Sequence, residues 1–521
     1  MLIGCVNVAS LFLARGLARA RERAVRAALG ASRWRLASQA VMEGLPVLAL
    51  GGVLGIALSA WALHGLIAIL PAGLPRIDEI QLSLPVLLFS LALLGATTLL
   101  VTLWPAWQSA GAAPGDALHQ EARGSSGSRS HIRLREILVV FEIALTIVLL
   151  AGAGLLMRSF TELQRVPLGF ETRNVLAMSL AVPRAKYGPD TAVAAFLSRM
   201  LERVRGVPGV RAAGMVNRLP IAGGAQQGVI LFDGSDLPVN RIGNCDWRTV
   251  TPDYFRAMGI PLFAGRLFTE NDRADTKPVG LIDDRTARLV FPGRSPIGHR
   301  FRIPFEGQPW IEIIGVVGHI RHDGADAEPR TQVYWNYHQR TQDRMALAVR
   351  TEGDPAKWAS SVIAAIHSVD AEQPVYGVAP MEEIVDRSFA QKRLEATLIG
   401  GFAGLALLLA AIGVYGVTAY AVERRVREFG IRMALGANPW QLVGLVMRRV
   451  AILCVVGGAC GLAASAALGD AIRTVLFHVS PTDWVSYTAA AGVLFAIAML
   501  AAWIPSRRSA SIDPLHSLRV E

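Results

Sequence analysis

The sequence predicts a polytopic α-helical membrane protein that carries one large extracytoplasmic α/β domain, and three observations support this. Six segments of about 20 or more largely apolar residues recur along the chain, arginine collects at alternate ends of them, and a long stretch of mixed character separates the third from the fourth. A helix needs roughly 20 apolar residues to cross about 30 Å of hydrocarbon, where no water can satisfy the backbone N–H and C=O groups.

The apolar segments lie within Gly44 to Pro75, Leu82 to Trp107, Ile137 to Met157, Ala396 to Val422, Val450 to Gly469 and Trp484 to Pro505. Only the third holds an Asp, Glu, Lys or Arg, namely Glu142. A carboxyl inside a span can serve a proton relay. Near the cytoplasmic end of its helix, however, Glu142 reaches water or Arg135 at lower cost, and that is the reading taken. Met1 opens a further apolar stretch that stops at Arg15, without the basic flank or cleavage site of a signal peptide. It reads as the second half of a span, so the chain is expected to lack its natural beginning. Composition agrees with a membrane solvent: 52% of the 521 residues are hydrophobic and 18% are charged, with a mean hydropathy of +0.39. The net charge of +11 would suggest nucleic acid if it covered one soluble face. Here Lys and Arg cluster beside apolar runs, so a membrane is expected and a nucleic-acid partner is not. Of the four cysteines, Cys5, Cys245, Cys454 and Cys460, only Cys245 lies outside the apolar runs, which leaves no disulfide for the soluble part.

Sidedness follows from arginine near the span ends. Arg15, Arg19, Arg21, Arg23, Arg26, Arg33 and Arg35 make the first loop cytoplasmic. The connection from Pro71 to Ser83 sets Arg76 against Asp78 and Glu79 and faces outward. Arg123, Arg129, Arg133 and Arg135 bring the next loop inside, so the stretch from Arg158 to Arg393 lies outside. Arg424, Arg425, Arg427 and Arg432, and later Arg507 and Arg508, return the chain to the inner side. Every loop agrees with one orientation.

An internal repeat organises these spans. ArgGluArgAlaValArgAlaAlaLeuGlyAlaSerArgTrpArgLeu at 21–36 matches ArgGluPheGlyIleArgMetAlaLeuGlyAlaAsnProTrpGlnLeu at 427–442, an offset of 406. The same offset pairs Gly51, Gly52 and Gly55 with Gly457, Gly458 and Gly461, and an offset of 400 pairs Pro105 with Pro505. In each copy the loop has helix–turn–helix chemistry. Glu22 with Arg26 and Glu428 with Arg432 are i,i+4 pairs, Gly30 and Gly436 suit a helix C-terminus, and Ser32 and Asn438 can cap the next helix. With Trp34 and Trp440 at interface depth, the first helix of each loop would lie on the inner membrane surface as a rigid knob able to receive force from a partner. One copy alone could be a mere topology marker; two copies with the same turn chemistry favour the knob. The glycine sets, with Gly51 and Gly55 matching Gly457 and Gly461, let helix backbones approach closely, so packing is their expected role.

Residues 159–392 read as an α/β insert. Strand, helix and strand are predicted at Val175–Val182, Thr191–Val204 and Val210–Val216, and again at Ala346–Arg350, Pro355–Val369 and Val375–Val378, flanking a strand-rich centre with a buried strand at Trp310–Val317. Residues 251–261, ThrProAspTyrPheArgAlaMetGlyIlePro, read as a turn, a short helix and an exit loop. His319, His322, Asp323 and Asp326 match no metal-binding spacing and are read as solvated loop residues, so no metal site is assigned. No GxSxG elbow or other catalytic constellation is present, and none of the four lysines, Lys186, Lys277, Lys357 and Lys392, follows a glycine as a phosphate loop requires.

The repeated loops, together with AlaGlyAlaGlyLeuLeuMetArgSerPhe (151–160), residues 251–261, PheProGly with ProIleGly (291–298) and GluIleIleGlyValValGly (312–318), resemble the MacB/FtsX-like family of ABC transporter permeases. The resemblance covers essentially the whole chain and is closer to the branch in which one chain carries two permease units. It implies a first FtsX-like unit at 1–134, truncated, with spans at about 1–14, 44–70 and 84–107, followed by a transmembrane helix at 135–158. A MacB-like periplasmic domain at 159–392 comes next, then a second FtsX-like unit at 393–506 with spans at about 396–422, 450–469 and 484–505, and a cytoplasmic tail at 507–521. The sequence departs from that branch in lacking the first span and the first outer domain.

The resemblance also implies a multi-pass protein of the bacterial inner membrane that is not itself an enzyme. A separate ABC-type ATPase subunit would bind ATP, with no cofactor held directly, and a second permease chain is a further partner of the usual assembly. Arg21, Glu22, Arg26 and Gly30, with Arg427, Glu428, Arg432 and Gly436, would be the ATPase-contacting coupling loops, relaying ATP-driven motion to the outer domain or to export. Two other classes stand beside this one. A secondary transporter would place charged or broken segments at the midplane, which these spans lack. A membrane-anchored sensor or binding module would retain no ATPase on purification.

Overall fold

The protein is seen in a computed structural model that describes residues 2–18, 26, 32–69, 81–109, 126–222, 226–423, 426–434, 438–473 and 476–510. It divides into two compact units, Met1–Glu162 with Lys392–Glu521, and Leu163–Gln391.

The first unit is helical: α1 Leu2–Ala18, α2 Arg33–Ile69, α3 Leu84–Ser109, α4 Ser126–Gln164, α5 Ala390–Glu423, α6 Val426–Ala434, α7 Pro439–Ile472 and α8 Trp484–Ala510. Among the described residues, five helices are long and apolar enough to cross a bilayer, over Gly44–Ala68, Arg133–Gln164, Ala390–Glu423, Trp440–Ala471 and Trp484–Arg508. The remaining expected span lies in α3, which has a shorter apolar stretch at Leu84–Thr97. Helix starts follow the sequence repeat: α2 and α7 begin 406 residues apart, and α3 and α8 begin 400 apart.

One core joins α4, α5, α7 and α8. Val139, Ile143 and Ile147 meet Ala410 and Val414, Val450 and Cys454, and Leu494, Ala498 and Ala502. Each helix contributes residues four apart, which places them on one face. Lipid tails are as apolar as these side chains, so close van der Waals packing rather than escape from water holds such a core, and the alanines allow it. At the far end of this unit Arg158 pairs with Asp483, and Ser159 Oγ accepts from the Phe477 N–H at 2.8 Å. Asp483 also accepts from the Ser486 N–H at 2.9 Å, which caps the start of α8.

The second unit is built on strands β1 Val175–Ala181, β2 Val210–Val216, β3 Gln227–Gly228, β4 Leu231–Phe232, β5 Cys245–Val250, β6 Leu262–Gly265, β7 Val279–Asp283, β8 Arg300–Arg302, β9 Ile311–Val317, β10 Gln332–Asn336, β11 Arg344–Thr351 and β12 Val375–Pro380. Their order is β12-β1-β11-β2-β5-β10-β7-β9-β8-β4, with β3 on β5 and β6 on β9. The two strand–helix–strand halves therefore interlock. β11 lies between β1 and β2, antiparallel to both, and β12 closes on β1. That order is a split β-α-β arrangement. Alternate residues of its strands, Leu176, Met178, Met215, Leu347 and Val349, are buried under Leu197, Met200, Val204, Val362 and Ile366 from the helices Asp190–Arg205 and Ala359–His367. The predicted helix at Pro355–Val369 is divided: Asp354 accepts from the Ala356 N–H and starts a 3-10 turn at Pro355–Trp358, from which the α-helix continues.

A second core fills the centre of the domain. β10 runs parallel to β5 and antiparallel to β7, and β7 runs parallel to β9. Ile282, Phe291, Phe301, Ile313, Val333 and Trp335 form its interior. The short helix of the 251–261 motif is Tyr254–Met258, closed by Gly259 at φ 67°. A side chain there would be strained, and a Cβ would lie 2.8 Å from Glu171 Cδ. All four cysteines are free.

Candidate functional site

The surface that the sequence assigns to force transfer is seen best in its second copy. α6 is a nine-residue helix that follows α5. Phe429 is 3% exposed, while Glu428, Ile431 and Arg432 are half-exposed. Those three sit at i, i+3 and i+4 and so share the outward face. Arg432 donates to Glu428 across 2.7 Å. Arg427 falls in the first turn of the same helix. Asn438 then caps α7, its side chain accepting from the Trp440 N–H at 3.0 Å, and Trp440 is exposed. The result is a short helix anchored by one aromatic, with a charged outer face and a capped helix after it.

In the first copy Arg26 is exposed and donates to Gln39 Oε1 at 2.6 Å, Ser32 Oγ accepts from the Arg35 N–H at 3.4 Å, and Trp34 is exposed. Arg21, Glu22 and Gly30, with Gly436 of the second copy, lie outside the described residues.

The glycine pairs part company. A Cβ at Gly457 would lie 2.6 Å from Ile143 Cγ2, and one at Gly461 would lie 2.7 Å from the Ala144 carbonyl, so α7 approaches α4 to backbone distance. At Gly51 and Gly55 no atom of another described element lies within 4 Å of the corresponding position, while a Cβ at Gly52 between them would stand 3.3 Å from Leu91 Cδ2. Among the described residues, the close approach is seen at the second pair and not at the first.

Glu142 requires a correction. It is 1% exposed, and its carboxylate accepts from Asn7 Nδ2 at 2.5 Å rather than meeting water. Asn7 also donates to the Leu409 carbonyl at 2.9 Å. Arg135 donates to the Ser10 carbonyl at 3.3 Å and lies 4.3 Å from the centroid of the Tyr420 ring. Reading Met1–Ala14 as simply apolar missed Asn7, although a lone amide in a span is itself a signal. A second pair that sequence reasoning missed is Arg449 with Glu136, at 2.5 Å, which ties α7 to α4 near their inner ends.

The solvated reading of the outer-domain histidines also needs correcting. His322 is 4% exposed, and His319 Nδ1 contacts the fully buried Asp283 at 2.6 Å. Asp323 pairs with Arg330. Burial holds the His322 pKa well below its usual value, and nearby Arg248 adds to this. Among the described residues no group of three His, Cys, Asp or Glu could hold a metal ion.

Comparison with known proteins bears on this architecture. The FtsX-like permease C-terminal family matches residues 1–114 and 400–514, and the MacB-like periplasmic core domain matches residues 137–373. The chain is 27% identical over 279 residues to the uncharacterized ABC transporter permease YknZ of Bacillus subtilis, covering 52% of this chain and 69% of that one. It is 26% identical over 311 residues to the macrolide export ATP-binding/permease protein MacB of Chromobacterium violaceum, covering 57% and 46%. The chain thus spans under half the length of that MacB relative. The periplasmic region of MacB from Actinobacillus actinomycetemcomitans aligns at a TM-score of 0.29 and 12% identity, over 43% of this chain and 97% of that one.

Apolar helices and one extracytoplasmic α/β domain define a multi-pass membrane permease. More particularly, the chain belongs to the MacB/FtsX-like family of ABC transporter permeases, which are inner-membrane proteins with a periplasmic domain.

Proposed function

We propose that this chain is the membrane half of a transporter that converts ATP hydrolysis by a separate ABC-type ATPase subunit into movement or export on the far side of the membrane. The observation that supports this most directly is α6, with Phe429 buried beneath and Glu428, Ile431 and Arg432 facing out. On this reading Arg427, Glu428 and Arg432, with Arg21, Glu22 and Arg26 of the first copy, contact the ATPase. Gly30 and Gly436 end the coupling helices. These 521 residues contain no GxxxxGK[ST] loop, so on this reading ATP is bound outside them. A pushed elbow moves α5 and α7 together, and those helices carry the motion outward.

The test is retention of the ATPase on the detergent-solubilised protein. Wild type is expected to hold it, and the paired reversal Arg427→Glu with Arg432→Glu to release it. The exchange Glu428→Arg with Arg432→Glu preserves the intrahelical pair while altering the outward face, so release there separates a lost contact from a melted helix. Equal retention in all three proteins would remove the assignment. The mass of the retained complex distinguishes one permease chain from two.

A further inference from the structure

The outer sheet is not covered evenly on the face turned away from the helices Asp190–Arg205 and Ala359–His367. Alternation along the strands puts Leu176, Met178, Met345 and Leu347 under those helices. Ser179 and Ala346, opposite each other in the β1–β11 ladder, therefore belong to the reverse face. Farther along that face lies Gly214, opposite Ala348, and there the helix Tyr254–Met258 sits directly on the sheet: a Cβ at Gly214 would stand 2.4 Å from the Tyr254 N. Over Ser179 and Ala346 there is instead a cleft of about 620 Å³, a size common among small-molecule sites. Tyr376 of β12, the neighbour of Ser179, borders it, as do Asn217 and Gln226.

The charge of the cleft is one-sided. Arg184, Arg218 and Arg344 line it against one acid, Asp343. Arg184 is already held, by Asp190 at 2.8 Å and by Asp343 at 3.3 Å. Arg218 and Arg344 are exposed and pair with no acid among the described residues. Two like charges bordering one recess repel each other until an anion joins them. Beside them Thr341 is 5% exposed, and its hydroxyl has no hydrogen-bond partner among the described residues. A buried hydroxyl lining a recess and left without a partner is a group waiting for one. The guanidinium fork matches the oxygens of a carboxylate or a phosphate, and a donor-rich recess of this size suits a small polar anion better than an acyl chain or a cation.

We propose that this cleft of the outer domain binds a small solute bearing a carboxylate or phosphate group, whose oxygens are taken by Arg218 and Arg344, with Thr341 as a further donor. The rest of the solute lies over Ser179 and Ala346, beside the Tyr376 ring. The site does not depend on what α6 contacts, and its test involves no ATPase.

The experiment is isothermal titration calorimetry of the purified full chain in detergent, with inorganic phosphate and with citrate, at an ionic strength held constant by sodium chloride. Saturable binding of at least one of them is expected, and the tighter of the two tells whether the group recognised is phosphate or carboxylate. Arg218→Gln and Arg344→Gln should each weaken binding about ten-fold, the effect of one charge-assisted hydrogen bond. Arg344→Lys, which keeps the charge but loses the fork, should retain part of the affinity. Thr341→Val should weaken binding about three-fold without lowering the melting temperature, because it removes a hydroxyl that no protein group uses. Arg211→Gln, on an exposed arginine of β2 that pairs with Glu352 outside the cleft, should bind as wild type does. Absence of saturable binding with both anions, affinity indifferent to Arg218→Gln and Arg344→Gln, or a loss equal to that in Arg211→Gln would each overturn the proposal.

Discussion

Asn7 donates to Glu142 across 2.5 Å, a contact between residues 135 positions apart, and with the Leu409 carbonyl it joins α1, α4 and α5. A carboxyl in this position must be satisfied from within the protein, because lipid offers no hydrogen-bonding partner. Gly413 leaves room for the contact, since a Cβ there would stand 2.7 Å from Asn7 Oδ1.

Asn7→Leu is expected to destabilise the helical unit by about 1 kcal/mol, the usual scale for a buried polar group that loses its partner in a membrane protein. Glu142→Leu in the same background should recover most of that loss. Equilibrium unfolding in mixed SDS micelles measures both, and an Asn7→Leu protein as stable as wild type would end the argument for the clasp.

The contrast between the glycine pairs gives a second expectation. Gly457→Val and Gly461→Val force α7 away from Ile143 and Ala144 and should each cost about 1–3 kcal/mol, the range for overpacking a close-packed core. Gly51→Val and Gly55→Val, which meet open space among the described residues, should leave unfolding of the purified chain almost unchanged. Equal losses at all four positions would show that the first pair is also packed.

His322 gives the outer domain a pH dependence. Burial holds its pKa well below the usual histidine value, so the unfolded chain takes up a proton that the folded domain refuses. Its contribution to stability is complete above pH of about 6.5 and declines as pH falls through and below that value. Thermal scans from pH 7.5 to 5.0 should show a falling midpoint, and His322→Leu should flatten the slope. An unaltered slope in that variant would assign the dependence to other groups.

Gly259→Ala places a side chain at φ 67° and against Glu171, which is paired with Arg350 at 2.6 Å. A left-handed residue with a Cβ costs about 1–2 kcal/mol before the collision is counted. The melting temperature of the outer domain should fall accordingly, and an alanine variant that melts with wild type would mean that this turn relaxes freely.

Features governed by local periodicity were legible from the sequence. The starts of α7 and α8, the Asn438 cap and strands β1, β2 and β9 follow from apolar spacing, capping residues and β-branched runs. Features that depend on distant partners were not. Asn7 finds Glu142 only after α1 packs against α4, and β11 enters between β1 and β2 from more than 120 residues downstream. The histidines were misjudged for the same reason: their loop is polar in sequence, but the Ile221 N–H donates to the His322 carbonyl at 2.7 Å and Gln332 reaches Ile320, closing it inward. At the elbow, the Glu428–Arg432 spacing was readable, whereas the anchoring by Phe429 required the packed helices.

The strand order has a mechanical corollary. Leu176, near the start of β1, lies opposite Pro380, at the end of β12, so the chain enters and leaves the outer domain at neighbouring points. The segment leading into β1 is also tied to the middle of the domain, the Arg321 N–H donating to the Leu168 carbonyl at 3.0 Å and the Glu171 N–H to the Met258 carbonyl at 2.8 Å, so traction arriving there is shared between the β1–β12 ladder and these inner loops. The domain can be towed as a whole.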